Sequence, residues 1–310
     1  MKHGITRQVS GCAAWIPITN DEFECVRSAR EGLLSGMLIE EKLDLVAENH
    51  VTYEESLLHR ATRLMVFSDK NYARVQLERR LANQHLVNLL SACRLYFDNS
   101  AHQLSTAFGK ESLPARAFSE ARHAQYDAHL EYRTMEALRN YVQHREFPIH
   151  RISFKLYRSD GAPPERRCTL TPYVRLSELQ QDGSIKPTLI DQLRETGSEY
   201  DATHFARIYV ACIETIHGIL RDSLRPSLVE WEAVMTAIMD RFRAGCPEES
   251  TLLGLVVEER DDNDSMVSYV PVFRDLIDYR RLLERKNAHI GRLASCHVTG
   301  KSMSPGGSNA

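Results

Sequence analysis

The 310-residue sequence lacks the short motifs that mark several common classes of enzyme. It has no glycine-rich phosphate loop and no Gly-x-Ser-x-Gly segment, so neither a P-loop nucleotide hydrolase nor an α/β hydrolase is indicated. Its seven cysteines are scattered and form no Cys-x-x-Cys pair, which indicates neither a zinc site nor a disulfide framework. We therefore expect no metal ion and no cofactor.

Long apolar runs and a strong excess of charge are also missing. Lys2 and Arg7 precede no apolar core of signal-peptide length, and no window approaches a membrane span. The 39 basic and 42 acidic residues give a net charge of −3, whereas a protein that coats nucleic acid is normally basic. We expect a cytoplasmic protein without membrane contact, in which any contact with nucleic acid is local.

Hydrophobic residues make up 43% and charged residues 26% of the chain, which is typical of a globular protein with a substantial core. A mainly α fold is predicted: a helical bundle with long antiparallel helices and a small antiparallel β-sheet from two hairpins in the C-terminal half, α+β overall. The bundle is assigned to residues 1–148. An α+β region that packs on the bundle or completes it is assigned to 149–298, and a disordered tail to 299–310.

Two long helices are predicted on either side of Gly109. Residues 71–107 form the first, because their apolar residues step by three or four, the period of a helix with one buried face. Residues 112–146 form the second, and Pro148 follows its end. Two long helices joined by a short turn should pack antiparallel.

Glycine and proline are expected to end other helices. Gly36 should break the first helical stretch, and Pro226 should interrupt a second stretch over about 202–243. Alternating apolar residues and turn signals predict two hairpins near 150–175 and 252–273. Because an isolated hairpin is marginal in water, the two should lie in one sheet.

Near the end of the second long helix, Arg139, Asn140 and His144 form a set suited to a phosphodiester. Arginine presents a planar fork that fits phosphate oxygens in a bidentate way. Histidine takes and gives a proton near neutral pH. The amide of Asn140 can orient either partner or hold a ribose hydroxyl. The alternative is an ordinary surface helix end, since arginine and histidine there also complement the helix dipole.

Arginine followed by histidine at this spacing also occurs elsewhere, as in Arg80 with His85 and Arg145 with His150. Only Arg139 is followed directly by asparagine, and only its pair closes a long helix that follows another long helix. This combination, over roughly residues 41–150, resembles the HEPN superfamily of all-helical domains, which are often RNases. The signature of that superfamily is Arg, usually a polar residue such as Asn, and His after four to six positions.

The resemblance implies a metal-independent endoribonuclease in which the ribose 2′-hydroxyl attacks its neighbouring phosphate. His144 would be the general base or acid, Arg139 would stabilise the phosphoryl charge, and Asn140 would orient the ribose or His144. It also implies a homodimer in which each subunit supplies one copy of the motif. The biological role would be that of a toxin or phage-defence effector, with an antitoxin or another partner protein.

Two further expectations concern geometry and charge. Five residues turn a straight helix through about 140°, so Asn140 and His144 share a face, whereas Arg139 does not. From 139 to 167 there are seven basic against three acidic residues. This strip is predicted to hold an RNA backbone, although a solvated hairpin face is the alternative. The predicted RNA contacts are Arg145, Arg151, Lys155 and Arg158. The alternative function is a non-catalytic helical scaffold or a regulatory protein-interaction module.

Overall fold

The computed structural model describes residues 1–9, 14–67, 71–158, 166–248, 251–296 and 298. Within them the helices are α1 (Asn20–Val66), α2 (Tyr72–Phe108), α3 (Leu113–Ala128), α4 (Leu130–His144), α5 (Leu176–Asp182), α6 (Pro187–Thr196), α7 (Ala202–Gly245) and α8 (Arg274–Lys286). The strands are β1 (Lys2–Arg7), β2 (Ile16–Ile18), β3 (Arg151–Arg158), β4 (Arg166–Arg175), β5 (Glu199–Asp201), β6 (Leu255–Arg260) and β7 (Met266–Pro271). The predicted mainly α, α+β class is confirmed.

Helices α1 and α2 form a long antiparallel hairpin. A capping box starts α1, in which the Thr19 side chain accepts from the backbone N–H of Glu22 and the Glu22 carboxylate accepts from that of Thr19. Residues at equal distances along the chain from position 69 face each other, as where Arg60 Nη1 donates to Glu78 Oε2 over 2.7 Å. α2 ends at Gly109, whose φ of 89° favours glycine. The first predicted long helix is thereby confirmed.

Gly36 does not end the first helix, so that prediction was wrong. α1 continues through Gly36, because this face of the helix packs closely on α7. A Cβ on Gly36 would lie 2.9 Å from Leu228 Cδ2, and one on Gly32 would lie 2.3 Å from the Trp231 ring. Glycine serves here to let two helices approach each other, not to break one of them.

The second predicted long helix is two helices. His129 separates α3 from α4 with an extended backbone, at φ −120° and ψ 118°. Arg133 Nη1 donates to the carbonyl oxygens of Tyr126 at 2.7 Å and Asp127 at 2.8 Å, which satisfies the last turn of α3. Both helices then pack against α7, while α2 packs chiefly on α1.

Helix α7 begins after Asp201, a residue type that favours a helix start, but it passes through its proline. The Asp201 carboxylate accepts from the backbone N–H groups of Thr203 and His204. Pro226 lacks the N–H that would bond to the carbonyl of Asp222. Both residues are exposed, so water can satisfy that carbonyl and the helix continues, contrary to the prediction.

The two hairpins lie in separate sheets, which corrects the prediction of one sheet. The first sheet has the order β2-β1-β6-β7 and the second the order β3-β4-β5. β1 pairs with β6 along its length, from Lys2 opposite Arg260 to Arg7 opposite Leu255. Each hairpin therefore pairs with a separate strand instead of with the other hairpin. The first hairpin pairs with β5 and the second with β1.

One hydrophobic cluster draws residues from both sides of residue 148, because α7 packs against α1, α3 and α4. None of the helices in the described ranges combines the length and apolar character needed to cross a membrane. Residues 68–69 and 159–164, whose sequences favour turns, lie outside the described residues, as does the predicted tail at 299–310.

Candidate functional site

The end of α4 carries one polar face that opens into a groove of about 720 Å³. Arg133, Glu136, Asn140 and His144 line it, and they recur every three or four residues along the helix. Arg145, just beyond α4, also lines the groove, as does the connection between α5 and α6 through residues 184–186. The groove therefore unites Asn140 and His144, whose shared face follows from their helical spacing.

Arg139 lies outside this groove lining but is bonded to Asn140, which lines it. Its Nη1 donates to Asn140 Oδ1 over 2.8 Å. A guanidinium can only donate, so the amide oxygen faces Arg139 and the amide NH₂ is left for other partners. Both Asn140 and His144 are exposed. The bond from Arg139 thus fixes which end of the Asn140 amide is available to a ligand.

Arg133 holds the walls of the groove together. Besides capping α3, its Nη2 donates to Gln192 Oε1 of α6 over 3.3 Å. No carboxylate in the described part of the chain forms an ion pair with Arg133 or with Lys186. Glu136, the acidic residue of the lining, accepts a hydrogen bond from the Tyr209 hydroxyl. Within the described lining of the groove, three basic side chains, Arg133, Arg145 and Lys186, accompany one carboxylate, that of Glu136.

Of the four predicted RNA contacts, one lines the groove and the other three lie on β3. Arg145 lines the groove, but Arg151 donates from Nε to Glu199 Oε1 over 3.0 Å and stacks over the Tyr173 ring. Lys155 lies on the same face of β3 as Arg151, and Arg158 lies on the opposite face, because side chains alternate along a strand. Of the predicted set, Arg145 joins Asn140 and His144.

The sequence interpretation missed Arg133, Ser184 and Lys186. Arg133 could have been found, since it stands seven residues before Asn140 on the same helical face. Ser184 and Lys186 come from a connection far along the chain, and no spacing signal relates them to α4. Their place in the groove depends on how α6 packs on α4.

A second constellation of polar residues lies in the core. Tyr96 Oη is 3.0 Å from His217 Nδ1, and His217 Nε2 is 3.1 Å from Glu40 Oε1. Arg221 binds both oxygens of Glu40, at 2.8 and 2.6 Å. Burial alone would raise the pKa of Glu40, but hydrogen bonds from Arg221 and His217 outweigh it and lower the pKa to about 2. This cluster joins α1, α2 and α7.

Neither constellation is a metal site of the usual kind. Among the residues that the structure describes, no group of three or more His, Cys, Asp or Glu side chains is placed to hold a metal ion. Comparisons of the chain with protein-family models, with curated proteins and with solved structures find no match. The resemblance to the HEPN superfamily therefore rests on the motif at 139–144 and the helices that carry it.

Proposed function

We propose that this protein is a metal-independent endoribonuclease that cleaves RNA in the groove at the end of α4. The observation that supports this function best is that Asn140 and His144 line one open groove with three basic side chains. A general acid or base must reach the substrate, and a phosphodiester needs positive charge beside it. The exposed His144 and the basic lining meet both requirements.

In the proposed reaction the ribose 2′-oxygen forms a bond to the adjacent phosphorus, and the bond from phosphorus to the 5′-oxygen breaks. One histidine takes the proton of the 2′-hydroxyl, and another gives a proton to the departing 5′-oxygen. Each chain supplies one His144, so a homodimer with two copies facing each other would divide these roles. The products are a 2′,3′-cyclic phosphate and a 5′-hydroxyl.

The proposal assigns Arg139 a different role from the one that the motif implies. Arg139 does not line the groove, so Arg145 and Lys186 are the groups proposed to stabilise the phosphoryl oxygens. Arg139 orients Asn140 by bonding to its amide oxygen, and the amide NH₂ then donates to the ribose or the phosphate. Arg139 is a positioning residue in this scheme.

The test compares wild type with His144→Ala and a matched control, His123→Ala, on total RNA with and without EDTA. His123 is an exposed histidine on α3 that does not line the groove. Wild type and the control should cleave equally in both buffers and leave 2′,3′-cyclic phosphate ends. His144→Ala should lose roughly 10²–10⁴ in rate. Cleavage by His144→Ala at the wild-type rate would exclude this site.

The second candidate is a non-catalytic helical scaffold or regulatory interaction module. It is favoured by one observation: the arginine of the motif bonds within its own helix and lies outside the groove lining. A lack of cleavage by wild type, alone and with a candidate partner, would favour this function. The proposed role as a toxin or phage-defence effector with an antitoxin follows from the family resemblance alone.

A further inference from the structure

A second groove, of about 730 Å³, lies beside the candidate site and shares Arg145 with it. One wall is α2, which contributes Arg79, Arg80 and Asn83. The other is the connection from α4 to β3, which contributes Phe147 and His150. Because Arg145 lines both grooves, a ligand longer than one nucleotide can occupy both at once.

The two walls of this second groove are held in place by a buried amide. Asn83, 1% exposed, donates from Nδ2 to the carbonyl oxygen of Ile149 over 3.0 Å. Asn83 Oδ1 accepts from the backbone N–H of Ile149 over 2.8 Å. The backbone next to His150 is thereby fixed against α2, so the groove is formed before any ligand binds.

His150 lines this groove and carries a buried ring nitrogen without a described partner. Its Nδ1 accepts the backbone N–H of Arg175 over 3.1 Å. Burial lowers the pKa of His150, so the ring is neutral and its one proton resides on Nε2. This buried Nε2–H has no hydrogen-bond partner in the part of the chain that the structure describes. An unpaired buried donor is unfavourable, and a phosphate oxygen would satisfy it.

The charge of the groove favours an anion. Arg79, Arg80 and Arg145 line it together with one carboxylate, Glu146. Arg80 is exposed and forms no ion pair with the described residues. A third groove, between α7 and α8, is also rich in arginine, but there the arginines are largely bonded to carboxylates, as Arg280 is to Glu232. Arg79 and Arg80 form no such ion pair with the described residues, and this distinguishes the groove on α2.

Phe147 adds an aromatic surface. Its side chain is 57% exposed at the edge of the groove, which is unfavourable for a large apolar ring in water. Nucleic-acid bases stack on such rings in single strands, whereas the bases of a duplex are already stacked on each other. Arginines beside an exposed aromatic ring are the combination found in grooves that bind single-stranded nucleic acid.

We infer that the groove between α2 and the α4–β3 connection is a binding subsite for single-stranded RNA next to the cleavage groove. Arg79 and Arg80 hold successive phosphates, Phe147 stacks on a base, and Arg145 bridges to the phosphate beside His144. The inference rests on the proposed function for the identity of the ligand. It adds the direction in which the strand leaves the site, across α2.

The experiment measures binding by fluorescence anisotropy with a labelled 2′-O-methyl RNA strand. This strand lacks the attacking hydroxyl, so binding is measured independently of cleavage. The double variant Arg79→Gln/Arg80→Gln should weaken binding at least tenfold at low salt. It should also reduce the slope of log affinity against log salt by about 1.4, because each phosphate that an arginine no longer neutralises accounts for about 0.7.

Phe147→Ala should weaken binding about tenfold without changing the salt slope, because stacking carries no charge. The matched control is Arg116→Gln, which removes an exposed arginine on α3 that lines neither groove. This control should bind as wild type does. His144→Ala should also bind the strand while failing to cleave unmodified RNA.

Three results would overturn the inference. The first is a double variant that keeps the wild-type affinity and salt slope. The second is duplex RNA that binds as tightly as the single strand, together with no effect of Phe147→Ala. The third is that wild type does not bind the strand. If wild type binds the strand through Arg79 and Arg80 but does not cleave RNA, the proposed endonuclease is refuted and the subsite is retained. Thermal melting of each variant checks that it is folded.

Discussion

Two histidines of this protein, His217 in the core and His144 at the end of α4, occupy opposite environments. His217 is 1% exposed, and both of its ring nitrogens lie within hydrogen-bond distance of a partner, Tyr96 on one side and Glu40 on the other. His144 is exposed, and no residue in the described ranges hydrogen-bonds to its ring. A buried, fully bonded histidine supports a structure, whereas an exposed one beside basic groups is available for proton transfer.

The spacing of arginine and histidine does not by itself separate a structural pair from a candidate site. His217 and Arg221 stand four residues apart on α7, and their shared partner is Glu40 on α1. His144 and Arg139 stand five apart on α4, and neither has such a carboxylate among the described residues. The difference lies in a residue from another helix, Glu40, which pairs with His217 and Arg221. The local sequence around either histidine does not show whether such a partner is present.

The largest effect on stability should come from removing the centre of the buried cluster. Glu40→Ala leaves Arg221 and His217 without their carboxylate in the core, so it should lower the free energy of unfolding by roughly 3–5 kcal/mol in urea titrations. Glu31→Ala, an exposed glutamate on the same helix, is the matched control and should change it by less than about 0.5 kcal/mol. Equal effects of the two changes would show that the cluster does not support the core.

The same cluster should make the free energy of unfolding depend on pH below about 4.5. The pKa of Glu40 is lowered from 4.5 to about 2, because hydrogen bonds from Arg221 and His217 outweigh its burial. A carboxylate with a depressed pKa contributes stability that is present above about pH 4.5 and is lost as the pH falls towards 2. The contribution is at most about 3 kcal/mol. Unfolding titrations from pH 6 down to about 2 should show this loss in wild type.

Glu40→Gln is the control for that acid dependence, because it keeps the shape of the side chain and removes its titration. The variant should be less stable at neutral pH, and its stability should change less between about pH 4.5 and 2. Glu54, whose pKa is also lowered by hydrogen bonds from Arg207 and His50 against its burial, will retain part of the slope. A variant whose slope equals that of wild type would contradict the assignment to Glu40.

A smaller effect is expected where α1 touches α7. Gly32→Ala would place a Cβ 2.3 Å from the rigid ring of Trp231, so it should destabilise the protein by about 1–3 kcal/mol. Gly218→Ala, within α7, meets nothing within 4 Å and should stabilise it by roughly 0.5–1 kcal/mol. Calorimetric melting of both variants measures the difference in stability. A Gly32→Ala protein as stable as wild type would mean that α1 and α7 can move apart without a loss of stability.

The smallest effect concerns the positioning role of Arg139. If Arg139 acts through Asn140, then Arg139→Ala and Asn140→Ala should each reduce RNA cleavage about tenfold, and the double variant should lose little more than either. Additive losses would show that Arg139 contacts the substrate independently. The rate constants under single-turnover conditions, with thermal melting as a check on folding, decide between these outcomes.

Local chemistry predicted much of the fold. Thr19 and Asp201 start helices as their side chains predict, and Gly109 ends one. Glycine and proline were misjudged where long-range packing or solvent decides the outcome. Gly36 lies against α7, and the carbonyl that Pro226 leaves without a helical partner belongs to the exposed Asp222. Glycine and proline both weaken a helix locally, but at these two positions the surroundings allow the helix to continue.

The candidate site was predicted only along one helix. Asn140 and His144 were correctly expected to share a face, because four residues make about one helical turn. The break at His129 had no signal, since neither glycine nor proline is near it. Lys186, Arg79 and His150 come to the two grooves from other parts of the chain. Only tertiary packing determines that they lie beside α4.

The pairing of β1 with β6 has a consequence for synthesis on the ribosome. His3 lies opposite Glu259, so β1 leaves the ribosome well before its partner strand β6, which is synthesised about 250 residues later. At typical elongation rates this takes on the order of ten seconds or more. Throughout that interval β1, with the fully buried Ile5, exposes an unpaired edge. Nascent chains stalled before residue 255 should therefore be the forms most prone to aggregate and most in need of a chaperone.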